Sequence, residues 1–216
     1  MYEAAIKILT IISKFDYEAF IVGGYPRNKY LNLKSNDIDI CTNAPLDIIK
    51  DNFQIIENNS IYGSNKIEFE GYYFEITEYR KDIYYENRYP DIIFVDTLKE
   101  DLERRDFIMN TLCIDKNGEY VDLLNSRKDI KNKVIRTIKN SDISVEEDPL
   151  RIIRAIRFSI NLNFKIDESL QKSIIKYGFK IKKLSKKRIE RELNQIKDKD
   201  KLNKMLEELD LKLYLK

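Results

Sequence analysis

The sequence predicts an α+β fold: a mixed sheet with flanking helices over residues 1–140, then an all-helical segment over 141–216. Three observations carry this. Residues 21–42 run Ile-Val-Gly-Gly-Tyr-Pro-Arg-Asn, a short helical stretch, then Asn-Asp-Ile-Asp-Ile-Cys-Thr, which reads as strand, glycine turn, helix, strand. Glu70-Gly71 and Asn117-Gly118 each sit between strand-like runs, as hairpin turns do. After Asn140 the strand patterns stop and helical periodicity takes over.

Taken in order, residues 2–15 place Ala5, Ile8, Leu9 and Ile12 at a helical period. Residues 19–22 form the first strand and deliver Gly23; Pro26 suits the first turn of the next helix, where its missing N–H costs nothing. Residues 37–42 form the second strand and 45–52 a short helix. Residues 66–69 and 72–79 pair as a hairpin, 80–96 read as an irregular mobile loop, and 102–112 as a helix. Residues 112–115 and 119–122 make a second hairpin, and 134–137 one more short strand. A helix is expected to start across Glu146-Glu147-Asp148-Pro149-Leu150-Arg151, with acids ahead of it and proline in its first turn. Arg151, Arg154 and Arg157 then share one broad side, opposite Ile152, Ile153, Ile156 and Ile160. Further helices are expected over 167–177, ended by Gly178, and over 188–196 and 201–209.

Composition excludes several chemistries. The 216 residues contain no histidine, which removes histidine acid–base catalysis, Ser-His-Asp triads and histidine metal sites. The two cysteines, Cys41 and Cys113, lack metal-ligand spacing and read as reduced core thiols of a cytoplasmic protein. A net charge of +2 announces no global basic field, so any nucleic-acid surface must be local. No apolar run reaches membrane-spanning length, and the N-terminus lacks a signal-peptide pattern.

The candidate chemistry lies in the first strand–turn–strand unit. Side chains alternate along a strand, so Asp37 and Asp39 share a face while Ile38 and Ile40 take the other. Two acids so placed repel unless a cation lies between them. Hard oxygen ligands at this spacing suit Mg²⁺, which takes one or two carboxylates and completes its shell with water and phosphate oxygens. Gly23 and Gly24 let backbone amides approach an anion, and Arg27 adds a fixed positive charge. Glu75, an acid in an otherwise apolar strand, reads two ways: a sheet-edge glutamate, or a third metal-site carboxylate if its strand lies beside Asp37 and Asp39. In Arg104-Arg105, neighbouring helical positions face different sides, so one arginine can pair with Asp106 while the other faces a ligand. The basic run over 180–191 is a solvated face or, beside a phosphate site, a path for a nucleic-acid backbone.

These motifs together resemble the bacterial-type tRNA nucleotidyltransferases (CCA-adding enzymes) and their poly(A) polymerase relatives, of the polymerase-beta-like nucleotidyltransferase superfamily. Gly-Gly-Tyr-Pro-Arg-Asn with Asp-Ile-Asp is similar to the family's first motif, and Glu-Arg-Arg-Asp-Phe-Ile-Met-Asn-Thr-Leu to its second. Glu-Glu-Asp-Pro-Leu-Arg-Ile-Ile-Arg-Ala-Ile-Arg-Phe resembles the nucleotide-selecting motif that opens the neck domain. Tyr84 to Pro90 resembles the flexible loop. The resemblance implies a nucleotidyltransferase head over 1–140 and a helical neck over 141–216. It implies addition of C, A or both from CTP and ATP to the 3′ end of tRNA or another RNA, with Mg²⁺ on Asp37 and Asp39. A less selective RNA 3′-adenylyltransferase and a non-catalytic RNA-binding subunit are the alternatives.

Residue by residue, the resemblance implies that Asp37 and Asp39 are catalytic, with Glu75 joining them on its metal-site reading. Gly23, Gly24 and Arg27 then contact the triphosphate, with Arg105, Asp106 and Asn110 at the incoming nucleotide. Asp148 and Arg151 read the base, supported by Arg154 and Arg157. Asn28 stands where the family usually has Asp, Pro26 replaces a usual apolar residue, and Lys187 replaces an acid in the last motif. The chain is expected to lack most of the family's body and tail domains, with a second copy or a partner subunit holding the RNA.

Overall fold

The computed structural model describes residues 1–85 and 90–214. It divides into two compact units: residues 1–105 with 110–127, and residues 106–109 with those from 128 onward.

The first unit contains α1 (Tyr2–Ser13), β1 (Ala19–Val22), α2 (Gly24–Tyr30), β2 (Asp39–Thr42), α3 (Leu46–Asn52), β3 (Gln54–Asn59), β4 (Ser64–Phe69) and β5 (Tyr72–Glu78). After these come β6 (Arg80–Ile83), β7 (Asp91–Phe94), α4 (Leu98–Glu103), β8 (Cys113–Ile114) and β9 (Tyr120–Val121). Seven strands form one sheet in the order β3-β4-β5-β2-β1-β8-β9. Its neighbours are antiparallel except β2 and β5, which run parallel with Asp39 opposite Glu75. The sheet is therefore mixed, as the sequence predicts.

Strand alternation sorts the residues between two faces. Ile21, Ile40, Ile67, Phe74 and Ile76 go to one face and pack against Ile8, Leu9 and Ile12 of α1 and Ile49 of α3. Fully burying each such side chain contributes about 1.5–3 kcal/mol. Val22, Cys41, Tyr79 and Cys113 go to the other, where Leu98 and Leu102 of α4 cover them. Both cysteines are free and buried. Asp39 neighbours Ile40 in sequence and so emerges on the α4 side, at the start of β2.

The second unit contains most of α5 (Ser126–Asn132), then β10 (Val134–Ile135), α6 (Ser141–Glu147), α7 (Leu150–Leu162), β11 (Lys165–Ile166), α8 (Glu168–Tyr177), α9 (Lys186–Leu193) and α10 (Lys199–Glu208). Side-chain caps start three of its helices: Asn140 accepts from Asp142 N at 2.9 Å, Asp167 from Ser169 N at 3.1 Å and Asp198 from Lys201 N at 3.0 Å. The core stripe of α7 is Ile152, Ile153, Ala155 and Ile156, all fully buried.

Several expectations give way to tertiary context. Strand β2 begins at Asp39, so Asp37 and Ile38 precede it, although Ile38 is fully buried and Asp37 exposed. The expected irregular loop over 80–96 contains the antiparallel pair β6–β7, while residues 86–89 of the Tyr84–Pro90 motif lie outside the described residues. The expected helix over 102–112 stops at Glu103. Phe107 bridges Thr137, and Ile108 N donates to Arg136 O at 2.9 Å, so partners distant in sequence take the helical hydrogen bonds. Glu146 and Glu147 end one helix instead of starting the next. Pro149 has no N–H and pushes Asp148 to an extended conformation, which separates α6 from α7. The all-helical expectation misses β11, which pairs in parallel with β10. Gly178 ends α8 with ordinary helical dihedrals, and a 3₁₀ turn over Gly178–Lys183 continues the chain.

Candidate active site

In the first unit the acids and glycines converge at the start of β2. The parallel register places Asp39 beside Glu75. Gly23, between β1 and α2, has φ +81°, and a Cβ there would stand 3.3 Å from Asp39 Oδ2. The turn therefore needs glycine for its dihedral angle and for the closeness of the carboxylate. Asp37, two residues upstream, is exposed. Glu75 thus lies on the strand beside Asp39, whereas Asp37, which its metal-site reading also placed there, precedes the strand. Among the described residues no three acid or cysteine side chains converge closely enough to hold a metal ion. The arrangement fits a cation that takes its remaining ligands from water and phosphate, as Mg²⁺ does.

Asp39 and Glu75 border a cavity of about 190 Å³ also lined by Thr77, Arg80, Arg104 and Arg105. A single buried carboxylate organises the arginines. Asp101, fully buried, accepts from Arg104 Nε at 2.8 Å and from Arg105 Nη2 at 2.7 Å. Burial alone would raise the Asp101 pKa, but Arg105 and then Arg104 hold it below the usual carboxylate range. Arg105 is buried too, which opposes its charge, yet Asp101 raises its pKa overall. Arg105 Nε is buried without a hydrogen-bond partner, a donor beside the cavity that a ligand acceptor can satisfy. Arg80 donates to Asp82 at 3.1 Å; burial and then Arg104 lower its pKa. The cavity thus offers three fixed guanidiniums facing two carboxylates, a set suited to a phosphate chain with a bound cation.

Arg27, on α2, is 4% exposed. Its Nε and Nη2 donate to Asn28 Oδ1 at 3.1 and 2.8 Å, and its Nη1 donates to Asn110 Oδ1. Asn28, where the family pattern has an acid, therefore holds Arg27 through two hydrogen bonds. Asn110 is placed as a support for Arg27.

In the second unit, the Asp148 carboxylate accepts from Leu150 N at 3.1 Å and stands 3.9 Å from Arg188. Arg151 is 5% exposed, and its Nη1 donates to Ser144 Oγ at 2.7 Å and lies 3.5 Å from Glu147. Arg154 lies 2.6 Å from Asp106 and 3.5 Å from Glu192, and Arg157 donates to Glu192 at 2.6 Å. Burial works against the charge of Arg154, but Asp106 and then Glu192 raise its pKa; for Arg157 burial prevails and lowers it. Within each unit the structure gives these groups partners that the sequence did not indicate. Arg104 and Arg105 bind Asp101, and Arg154 holds Asp106.

Sequence reasoning missed Arg80 and Thr77 as neighbours of the acids, Asp101 as the partner of Arg104 and Arg105, and Glu192 and Ser144 as partners of the α7 arginines. The Arg-Arg doublet was a signal. Its shared carboxylate lies three and four residues upstream, a spacing legible on a helix C-terminus.

The head fold matches that of the CCA-adding enzymes. The solved Bacillus stearothermophilus CCA-adding enzyme in complex with CTP superposes with TM-score 0.83 at 29% identity, over 90% of this chain and 48% of that one. A tRNA nucleotidyltransferase complexed with a primer tRNA and an incoming ATP analogue gives TM-score 0.78 at 25% identity, over 95% of this chain and 61% of that one. Residues 19–136 match the Poly A polymerase head domain, and the chain belongs to that family. Among curated proteins, the CCA-adding enzyme of Lactobacillus helveticus is 36% identical over 191 residues, 87% of this chain and 48% of the relative. The chain thus spans about half the length of the curated relatives it matches.

Proposed function

We propose that the chain is the catalytic portion of a template-independent tRNA nucleotidyltransferase, adding C, A or both from CTP and ATP to the 3′ end of tRNA in the cytoplasm. The observation that carries this is the pairing of Asp39 with Glu75 beside the left-handed Gly23 turn, in a cavity lined by three arginines. Its support is likeness to enzymes solved with CTP and with a primer tRNA and an ATP analogue.

Asp37 and Asp39 would hold Mg²⁺, with Glu75 as neighbour. Bound Mg²⁺ makes a hydroxyl a better nucleophile and offsets charge on phosphate oxygens. Gly23 and Gly24 present backbone amides to the triphosphate, and Arg27 and Arg105 bind its oxygens. Asp106 and Asn110 hold Arg154 and Arg27 in place. The second unit reads the base, with 141–216 as the nucleotide-selecting and RNA-binding domain. Cytosine and adenine each carry an exocyclic amine beside a ring-nitrogen acceptor. The Asp148 carboxylate accepts from the amine, and the Arg151 guanidinium donates to the ring nitrogen. Uracil and guanine mismatch both contacts, and each buried unpaired group costs on the order of 1–3 kcal/mol. Arg154 and Arg157 keep α7 in position through Asp106 and Glu192.

The test is end-labelling of three tRNA primers, ending before CCA, after C and after CC, with each nucleoside triphosphate in turn. CTP and ATP but not UTP or GTP are expected to be incorporated. Failure of all three primers with folded protein and Mg²⁺ refutes the reading. The head-domain match favours a second reading, RNA 3′-adenylation of the poly(A) polymerase type. Long A tails on unrelated RNA would select it.

A further inference from the structure

The second unit carries a basic cleft that the proposed chemistry does not use. Its volume is about 480 Å³, and Lys133, Lys165, Lys201 and Lys204 line it above a floor that includes Phe164 and Met205. Backbone structure brings two of these lysines together. Lys165 N donates to Lys133 O at 2.8 Å where β11 joins β10. Lys201 and Lys204, three residues apart on α10, supply the facing wall.

Acids balance only one side. Lys201 lies 3.3 Å from Asp198 and Lys204 lies 3.8 Å from Glu208. Among the described residues Lys133 and Lys165 form no ion pair. All four lysines are exposed. Like charges in one cleft, half of them unmatched, oppose each other until an anion enters. Lysine is suited to phosphates as a mobile point charge, and the partly apolar floor suits the sugar or base face between phosphates.

We propose that this cleft docks the phosphodiester backbone of the RNA substrate, giving the second unit a grip on RNA separate from the base-reading residues. This rests on the reading that the chain acts on RNA. The two unpaired lysines are expected to act as two phosphate contacts. On a single strand each contributes about 0.7 to the slope of log affinity against log salt, so removing both lowers the slope by about 1.4. Over the decade from 1 M to 0.1 M salt this amounts to about 25-fold in affinity.

The experiment measures binding of labelled oligouridylate, and of tRNA lacking its last three nucleotides, across a salt series. It compares the full chain with the double variant Lys133→Gln/Lys165→Gln. Lys172→Gln is the control, because Lys172 sits on α8, exposed and paired with Glu168. Circular dichroism confirms that each variant is folded. Expected is a shallower slope and about 25-fold weaker RNA binding at 0.1 M salt for the double variant, with the control unchanged. Unchanged slope and affinity in the double variant overturn the proposal alone. Tripolyphosphate that displaces RNA from wild type but not from the double variant supports it. Loss of tripolyphosphate affinity with RNA binding intact overturns it, as a site for free polyphosphate. A wild-type chain that binds no RNA overturns both this proposal and the functional reading.

Discussion

Asp101→Asn tests the arginine scaffold beneath the candidate site. The carboxylate is fully buried and binds Arg104 and Arg105 at 2.8 and 2.7 Å, with side chains only 13% and 16% exposed. Asparagine keeps the shape and removes the charge that two largely buried cations share, with Asp82 at 3.9 Å from Arg104 a more distant carboxylate. Breaking a buried pair in this way costs on the order of 3–5 kcal/mol. At about 2–4 °C per kcal/mol for a chain of this size, the melting temperature should fall by about 6–20 °C. The sign with pH follows from the depressed Asp101 pKa. Its stabilisation is present above the ordinary carboxylate value of 3.8 and is lost as pH falls through the lower folded value. Wild type and variant should therefore differ fully at neutral pH and converge below about pH 4. Paired urea and thermal melts across pH 2.5–7 measure this. A loss under about 1 kcal/mol at pH 7, or a gap that widens in acid, refutes the reasoning.

Gly23→Ala places a Cβ 3.3 Å from Asp39 Oδ2 at a φ of +81°, which should cost about 1–3 kcal/mol and cut nucleotide incorporation more than RNA binding. Primer-extension rates beside binding isotherms check it. Glu192→Gln leaves Arg157 without its 2.6 Å partner and should destabilise the second unit by several kcal/mol, seen as early loss of protection in hydrogen exchange over α7. Burial raises the pKa of both thiols, Cys113 up to about 12, so neither should react with a thiol reagent at pH 8 until the chain unfolds. Fast stoichiometric labelling of native protein would contradict the assigned core.

The local part of the site was legible and the assembled part was not. Gly23, Asp39 and the strands that carry them depend on residues within one strand–turn–strand unit, so alternation and turn chemistry sufficed. The Asp39–Glu75 neighbourhood was readable only as a conditional, since the parallel pairing of β2 with β5 joins residues 36 apart, Asp39 with Glu75. Arg80, and the place of Arg104 beside the acids, came into view only once that pairing and α4 were in place. The helix expected over 102–112 failed because Phe107 and Ile108 bond to residues near 136 instead of to their own turn. Spacing groups the α7 arginines, and in the structure Arg154 and Arg157 share Glu192 while Arg151 binds Ser144. Their partners, Asp106 and Glu192, lie 48 and 35 residues from Arg154 and Arg157, beyond any local pattern.

The central claim concerns the carboxylate at the start of β2, and the most direct measurement is Asp39→Asn assayed side by side for Mn²⁺ binding and for CTP incorporation into tRNA lacking CCA. The account predicts that Mn²⁺ affinity falls and incorporation drops at least a thousandfold while RNA binding and melting temperature hold. Incorporation within a factor of ten of wild type would contradict it.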